Sequence, residues 1–368
     1  MQASGVMTMN KKGTNIAKGI AIILMLWHHA FYSAKSVAER VGEASFSYSP
    51  FSPSTVFSIA KAGKICVPIF VFITGYGTYL SLKKRKATQN DGSYLARYAG
   101  AHHLGLLMQF LPVFILGVGA CVITGTQGLR EVYGGDGPVA ALFYLLIDAL
   151  GLAKVFGTPT FNGSWWYLSL AILLIYLVPV LISFSDAFGS WTLLLVVCLA
   201  PSLMGLDMST NLLRYLPAAV LGIMFAQYHV FEASLRADEK ITPWLTTMLL
   251  VAAAVAAILL QKMLGRPWLF HSLGAALICL IAQRIERLGG NVLAFLGKHS
   301  SNMFMCHTFY FAVLLPHQLY GLGHWLLTLG ALIALSLLTS VLLELAKDAT
   351  GYSALRQRLV GAIQERSA

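Results

Sequence analysis

Asn15-Ile16-Ala17-Lys18-Gly19-Ile20-Ala21-Ile22-Ile23-Leu24-Met25-Leu26-Trp27-His28-His29 is apolar almost throughout, yet it has a cation near its start and two imidazoles at its end. Polar groups on a lipid-crossing helix are costly and as a rule line a cavity or pathway. Lys18 and His29 are eleven residues apart, which brings them to within about 20° of one helix face and about 16 Å apart along the axis. One face therefore carries a basic group near one bilayer surface and a titratable ring deep inside it. His28 lies about 100° round the helix from His29, so a given site receives only one of the two.

The whole chain shares this character. Its 368 residues are 57% hydrophobic and 11% charged, against about 25% charged in a soluble domain. The composition specifies an all-α, polytopic integral membrane bundle. Apolar runs recur end to end with no polar block long enough to fold alone, which gives one membrane domain, 1–347, and a mixed-charge cytoplasmic tail, 348–368, read as a surface helix. The net charge of +11 is no nucleic-acid footprint, because the basic residues cluster beside apolar runs, where they report orientation. Cys66, Cys121, Cys198, Cys279 and Cys306 all fall in apolar runs without metal-ligand spacing, and read as buried thiols. Lys11 and Lys12 before the first run also resemble a signal-peptide start; His28 and His29 at its end favour a retained helix.

Ten runs are long enough to cross a hydrocarbon core of about 30 Å: 16–34, 63–82, 101–124, 165–184, 191–206, 212–228, 244–263, 268–285, 300–320 and 325–346. An eleventh, 139–153, is shorter, contains Asp148 and reads as a re-entrant or surface helix. With both termini cytoplasmic, 17 of the 26 Lys and Arg residues, Arg366 among them, fall inside, as the positive-inside rule requires. Two long outer loops result, 35–62 and 125–164. Their Ser, Pro and Gly content does not suggest packed domains, and loops of this length tend to build or cover a site. The absence of a visible repeat weighs against a secondary transporter.

His29 is the leading candidate for chemistry, since an imidazole exchanges protons near neutral pH without large tuning. A neutral ring hydrogen-bonded to a neighbouring helix is the plainer alternative. Ser300 and His307 share a face but stand about 10 Å apart along the axis, too far for a nucleophile and its base. His307 is read equally as a structural partner or a site residue. Thr74, Gly75 and Gly77 admit a close neighbouring backbone. Lys83-Lys84-Arg85-Lys86 reads as a topology anchor, whereas Arg97, between Tyr94 and Tyr98 at the membrane entry, has the fork to grip a phosphate from the cytosol. Trp165 and Tyr176 repeat the eleven-residue spacing, and interfacial anchoring accounts for Trp165 and Trp166.

Taken in order, these residues resemble the membrane-bound acyltransferase family 3, which includes O-acetyltransferases of lipopolysaccharide, peptidoglycan and exopolysaccharide. Lys18-Gly19-Ile20-Ala21 leading to His29 resembles its Arg-Gly-(Ile/Leu)-Ala helix with a His eleven places on. Val71-Phe72-Ile73-Thr74-Gly75-Tyr76 is similar to its Phe-x-x-Ser-Gly-(Phe/Tyr) turn, and Trp166-Tyr167-Leu168 with Tyr176 and Pro179 to its Trp-(Phe/Tyr)-Leu span. The stretch from Gly297 to His307 is similar to its Gly-x-x-Ser-Tyr-x-Ile-Tyr-Leu-x-His.

The resemblance implies a multi-pass protein of the cell membrane that moves an acyl group, acetyl foremost, from cytoplasmic acyl-CoA to a hydroxyl of a surface or exported carbohydrate. It implies His29 as base or transient acyl carrier, with Lys18 on the same face as the second catalytic residue. Arg97 and Lys298 would bind the donor, and His28, Thr74, Trp166, Tyr176, Ser300 and His307 would line the site. Acyl-CoA is then a co-substrate, with no resident cofactor or metal and no nucleic-acid partner. Lys18 stands where the family has Arg, which removes a bidentate fork; Thr74 stands for Ser and keeps the hydroxyl. The competing readings are a multi-span transporter or flippase for a glycan or glycolipid, and a structural subunit of a polysaccharide export complex.

Overall fold

Long apolar runs with no polar alternation satisfy their backbone hydrogen bonds within the segment, which in lipid leaves the helix as the available form. The computed structural model describes residues 9–42, 45–86, 94–206, 212–264 and 267–365; Arg366 lies outside them. Among the described residues the chain is helical, with no strand and an isolated β-bridge between Ser47 and His324. In chain order the helices are α1 (Lys11–Phe31), α2 (Ala34–Val41), α3 (Pro53–Ala62), α4 (Cys66–Lys86), α5 (Tyr94–Thr124), α6 (Leu129–Tyr133), α7 (Pro138–Ala149), α8 (Ala153–Phe156) and α9 (Trp166–Phe188). They continue with α10 (Ser190–Leu203), α11 (Leu216–Gln227), α12 (Val230–Lys240), α13 (Pro243–Leu264), α14 (Pro267–Arg287), α15 (Asn291–Thr308), α16 (Pro316–Tyr320), α17 (Trp325–Ala349) and α18 (Tyr352–Glu365).

Among the described residues six helices, or eight if each of two bent pairs counts once, are long and apolar enough to cross a membrane. Two of the ten expected spans differ from this set. Run 191–206 forms only the 14-residue α10, about 21 Å long. Run 300–320 is broken: α15 begins earlier, at Asn291, and gives way to a π-helix at Phe309–Leu314 before α16. The start at Asn291 has a local cause, for Gly289 and Gly290 take φ of +114° and +58°, a conformation that glycine tolerates best. The first bent pair is α1 and α2, which turn by 71°. Ser33 caps α2 by accepting from the Ser36 N–H at 3.3 Å, and Ser52 does the same for Thr55, one residue before Pro53 opens α3.

The long loop 125–164 is more ordered than its composition suggests. It contains α6 to α8 and has a buried polar centre, the Asp148 carboxylate, which is 1% exposed. This carboxylate accepts from the Tyr133 hydroxyl at 2.7 Å, the Thr160 hydroxyl at 2.9 Å and the Phe161 N–H at 2.6 Å. Burial pushes the Asp148 carboxyl above its ordinary value although all three hydrogen bonds pull the other way. The Tyr133 phenol is pushed up by burial and by the adjacent Asp148 charge. The 12-residue α7 carries Asp148 and measures about 18 Å, too short to cross.

Packing divides the chain into two units. The first comprises Met1–Ile22, Ile65–Gly92 and Tyr176–Lys298. In it α4 and α11 meet backbone to backbone: a Cβ on Gly75 would stand 2.1 Å from the Ala219 carbonyl oxygen, and one on Gly222 the same distance from that of Phe72. Gly77, grouped with Gly75 by sequence, has nothing within 4 Å. The first half of α1 crosses α15 equally tightly, since a Cβ on Gly297 would fall 1.7 Å from the Asn15 oxygen and one on Gly19 2.0 Å from the Leu293 oxygen. The buried Arg284 of α14 pairs with Asp238 of α12 at 2.9 Å.

The second unit comprises Ile23–Lys64, Ser93–Ile175 and His299–Ala368. A polar network joins three of its helices. Glu344 of α17 accepts from Asn302 of α15 at 2.8 Å, from Gln109 of α5 at 3.1 Å and from the buried Lys347 at 3.0 Å. The tail helix α18 packs on α5, with the Tyr352 hydroxyl donating to the Met108 carbonyl at 2.8 Å and Arg356 Nε to that of Gly105 at 3.0 Å.

Candidate active site

The last turn of α1 presents its two histidines to different neighbours, as the helical offset requires. His28 is committed to packing: its Nδ1 lies 2.8 Å from the Ala60 carbonyl oxygen. A carbonyl can only accept, so Nδ1 carries the proton. Gly63 makes this approach possible, for a Cβ there would lie 2.6 Å from the Leu24 oxygen.

His29 points elsewhere. Its ring centroid is 5.0 Å from that of His307 on α15, with 57° between the planes, and 5.2 Å from that of His28. Among the described residues it has no hydrogen-bond partner, and its nitrogens are not sealed off, for the residue is half-buried. This ring has an accessible lone pair and no structural commitment.

His307 is the opposite case, with no exposed surface. Its Nδ1 donates to the Phe304 carbonyl at 2.6 Å, which fixes the neutral tautomer and leaves Nε2 as an acceptor, 3.3 Å from the Thr308 hydroxyl. Phe311 stacks on the same ring, 5.8 Å away at 23°. Two imidazoles thus face each other, one held rigidly and one open.

The remaining expected site residues are distributed over the fold. In the second unit, Ser300 is buried and Arg97 and Trp166 are half-buried. Trp165 is not at an interface: it is 2% exposed, donates from Nε1 to the Met305 carbonyl at 2.9 Å and packs on Phe309. That bond holds the α15 turn just before His307, so Trp165 supports the histidine pair instead of anchoring the helix in headgroups. In the first unit, Lys18 is half-buried with no ion-pair partner among the described residues, Lys298 is exposed, and Tyr176 is 49% exposed. Thr74 bonds back to the Phe70 carbonyl at 2.9 Å within its own helix.

A family model described as an acyltransferase domain (Acyl_transf_3) matches residues 12–345, nearly the whole chain. The chain belongs to this acyltransferase family. Among curated proteins and solved structures, neither comparison gave a match. In this acyltransferase domain both halves of the Lys18-Gly19 and Gly297-Lys298 pairings have a packing reason, because Gly19 and Gly297 lie where α1 and α15 cross. The cations beside them stand on a crossing that tolerates no side chain at the neighbouring position.

Sequence reading of the acyltransferase missed Arg40, Phe311 and Tyr320. The Tyr320 hydroxyl donates to the carbonyl of Ala30, the residue after His29, at 2.6 Å. Arg40 lies over the Phe311 ring at 4.9 Å and the Tyr320 ring at 5.6 Å. The only hint in the sequence was a cation eleven residues beyond His29 in a loop otherwise rich in small polar residues.

Proposed function

We propose that this family member is an acyl-CoA-dependent O-acyltransferase of the cell membrane that delivers an acyl group, acetyl foremost, to a hydroxyl of a surface or exported carbohydrate. The observation that carries the reading is His29, an accessible ring without a hydrogen-bond partner among the described residues, beside the rigid His307. A ring held for packing alone would be bonded as His28 is.

In the proposed step, His29 takes the proton of the acceptor hydroxyl as its oxygen attacks the thioester carbonyl carbon. The carbon–sulfur bond breaks, the CoA sulfur leaves and takes the proton back from the ring, and the products are an ester and free CoA. The bond to the Phe304 carbonyl fixes which nitrogen of His307 carries its proton, and repulsion between two adjacent imidazoliums means that the pair takes up one positive charge at a time. Arg97 and Lys298 serve the donor phosphates, and the topology that suits this traffic has ten crossings, both termini cytoplasmic, and residues 348–368 as a cytoplasmic tail. Long loops on the outer side then meet the sugar.

Labelled acetyl-CoA given to the purified protein in lipid nanodiscs with the host's surface polysaccharide tests the reading. Release of CoA with label in alkali-sensitive esters is expected. Movement of the glycan across the bilayer with no CoA release would instead support a flippase.

A further inference from the structure

The turn between α1 and α2 brings Arg40 close to the histidine pair within the second unit. Its guanidinium lies over the Phe311 ring at 4.9 Å, and Phe311 is itself stacked on His307. Arg40 is therefore one ring removed from His307. Tyr320 flanks it, fixed by its bond to the Ala30 carbonyl. The neighbouring α2 is tied to α16, where His317 Nδ1 lies 3.2 Å from the Arg40 carbonyl oxygen.

Among the described residues no carboxylate pairs with this cation, and the adjacent Glu39 lies 3.9 Å from Lys35 instead. Among the described residues its side chain makes one hydrogen bond, Nη1 to the Tyr320 hydroxyl, which is long at 3.4 Å. The residue is half-buried and none of its nitrogens is sealed without a partner. A guanidinium held over two aromatic rings is restrained by them, and its N–H groups form a planar fork suited to two oxygens of one oxyanion.

We infer that Arg40 binds an anionic group of the acceptor, a carboxylate or a phosphate on the glycan, and so selects acidic glycans over neutral ones. The inference rests on the transferase reading above, in which Arg40 follows the outward end of α1 and faces the acceptor. The donor enters from the other side, so its phosphates are not the ligand. The aromatic platform makes the cation a fixed element, which limits acceptors to those whose charge lies a set distance from the reacting hydroxyl.

Arg40→Met keeps an unbranched chain on the Phe311 and Tyr320 rings and removes the charge; Arg40→Lys keeps the charge and removes the fork. A gene-deletion strain complemented with wild type or either variant is scored by NMR of its surface glycans, which gives ester content and the charged groups of each repeat. Purified proteins are scored for acetyl-CoA affinity and melting temperature. The repeat that loses esters on deletion should carry a uronate or a phosphate, which the NMR spectra tell apart. Arg40→Met should lower its ester content at least tenfold, with Arg40→Lys in between and donor affinity and melting unchanged. A neutral ester-bearing repeat, or wild-type ester content in Arg40→Met, overturns the inference alone. Loss of ester from no glycan on deletion overturns the transferase reading, and this inference with it. If Arg40→Met melts lower than wild type, Arg40→Lys decides: full ester content on a neutral repeat refutes the role, and partial content on an acidic repeat supports it.

Discussion

The imidazole of His29 faces that of His307 at 5.0 Å, one ring open and the other bonded through Nδ1 to the Phe304 carbonyl. If the second ring serves the proton held by the first, removing its nitrogens must cost rate. His307→Phe keeps a ring against Phe311 and removes both nitrogens. Turnover should fall about 100-fold, the lower range for a group assisting proton transfer, with substrate affinity little changed. Wild-type turnover in steady-state assays of this variant would reduce His307 to packing.

The crossing of α1 and α15 tolerates no side chain at Gly297, where a Cβ would lie 1.7 Å from the Asn15 oxygen. Overpacking of this kind costs about 1–3 kcal/mol, so Gly297→Ala should lower the melting temperature in detergent. Gly77→Ala is the control: with nothing within 4 Å, it should melt as wild type or slightly higher, since alanine favours the helix. Equal melting of both variants would contradict the close crossing.

Asp148 organises the loop 125–164 from within. Its carboxyl is raised by burial above an ordinary value of 3.8, so its contribution is present below that value and is lost as pH rises through the shifted one. Melting followed from pH 4 upward should show stability declining where Asp148 ionises. In Asp148→Asn, which cannot ionise, that decline should be absent. Asp148→Ala leaves the Tyr133 and Thr160 hydroxyls and the Phe161 N–H without this acceptor, a loss of about 1–3 kcal/mol. A pH profile identical in wild type and Asp148→Asn would show that another group governs it.

Arg97, at the start of α5 and half-buried, is assigned to the donor. Arg97→Ala should raise the apparent KM for acetyl-CoA about tenfold, equivalent to about 1.4 kcal/mol, and leave that for the glycan unchanged. The reverse pattern would move Arg97 to the acceptor.

How much of this was legible in the sequence depended on whether the cause was local. The helix through residues 15–29 follows from its own composition, and α7 was correctly separated from the crossing helices by its length and Asp148. The ninth apolar run begins at Ser300, but α15 begins nine residues earlier, at Asn291, because the polar stretch before the run is helical as well; Gly289 and Gly290 are the local signal for that start. Trp165 was read as an interfacial anchor because tryptophan at the head of an apolar run usually is one. Only the fold reveals Met305 as its partner. The same holds for the site. Helical spacing separated His28 from His29, but no spacing connects His29 to His307, or either of them to Arg40, since those contacts depend on how distant segments of the second unit pack together.

The most direct test of the account is single-turnover acetyl transfer by the nanodisc-embedded protein, wild type against His29→Gln, with melting temperature measured on the same samples. The account predicts equal melting and loss of transfer by at least about 100-fold, with CoA no longer released in the presence of acceptor. Transfer within a few-fold of wild type by a folded His29→Gln protein would contradict it.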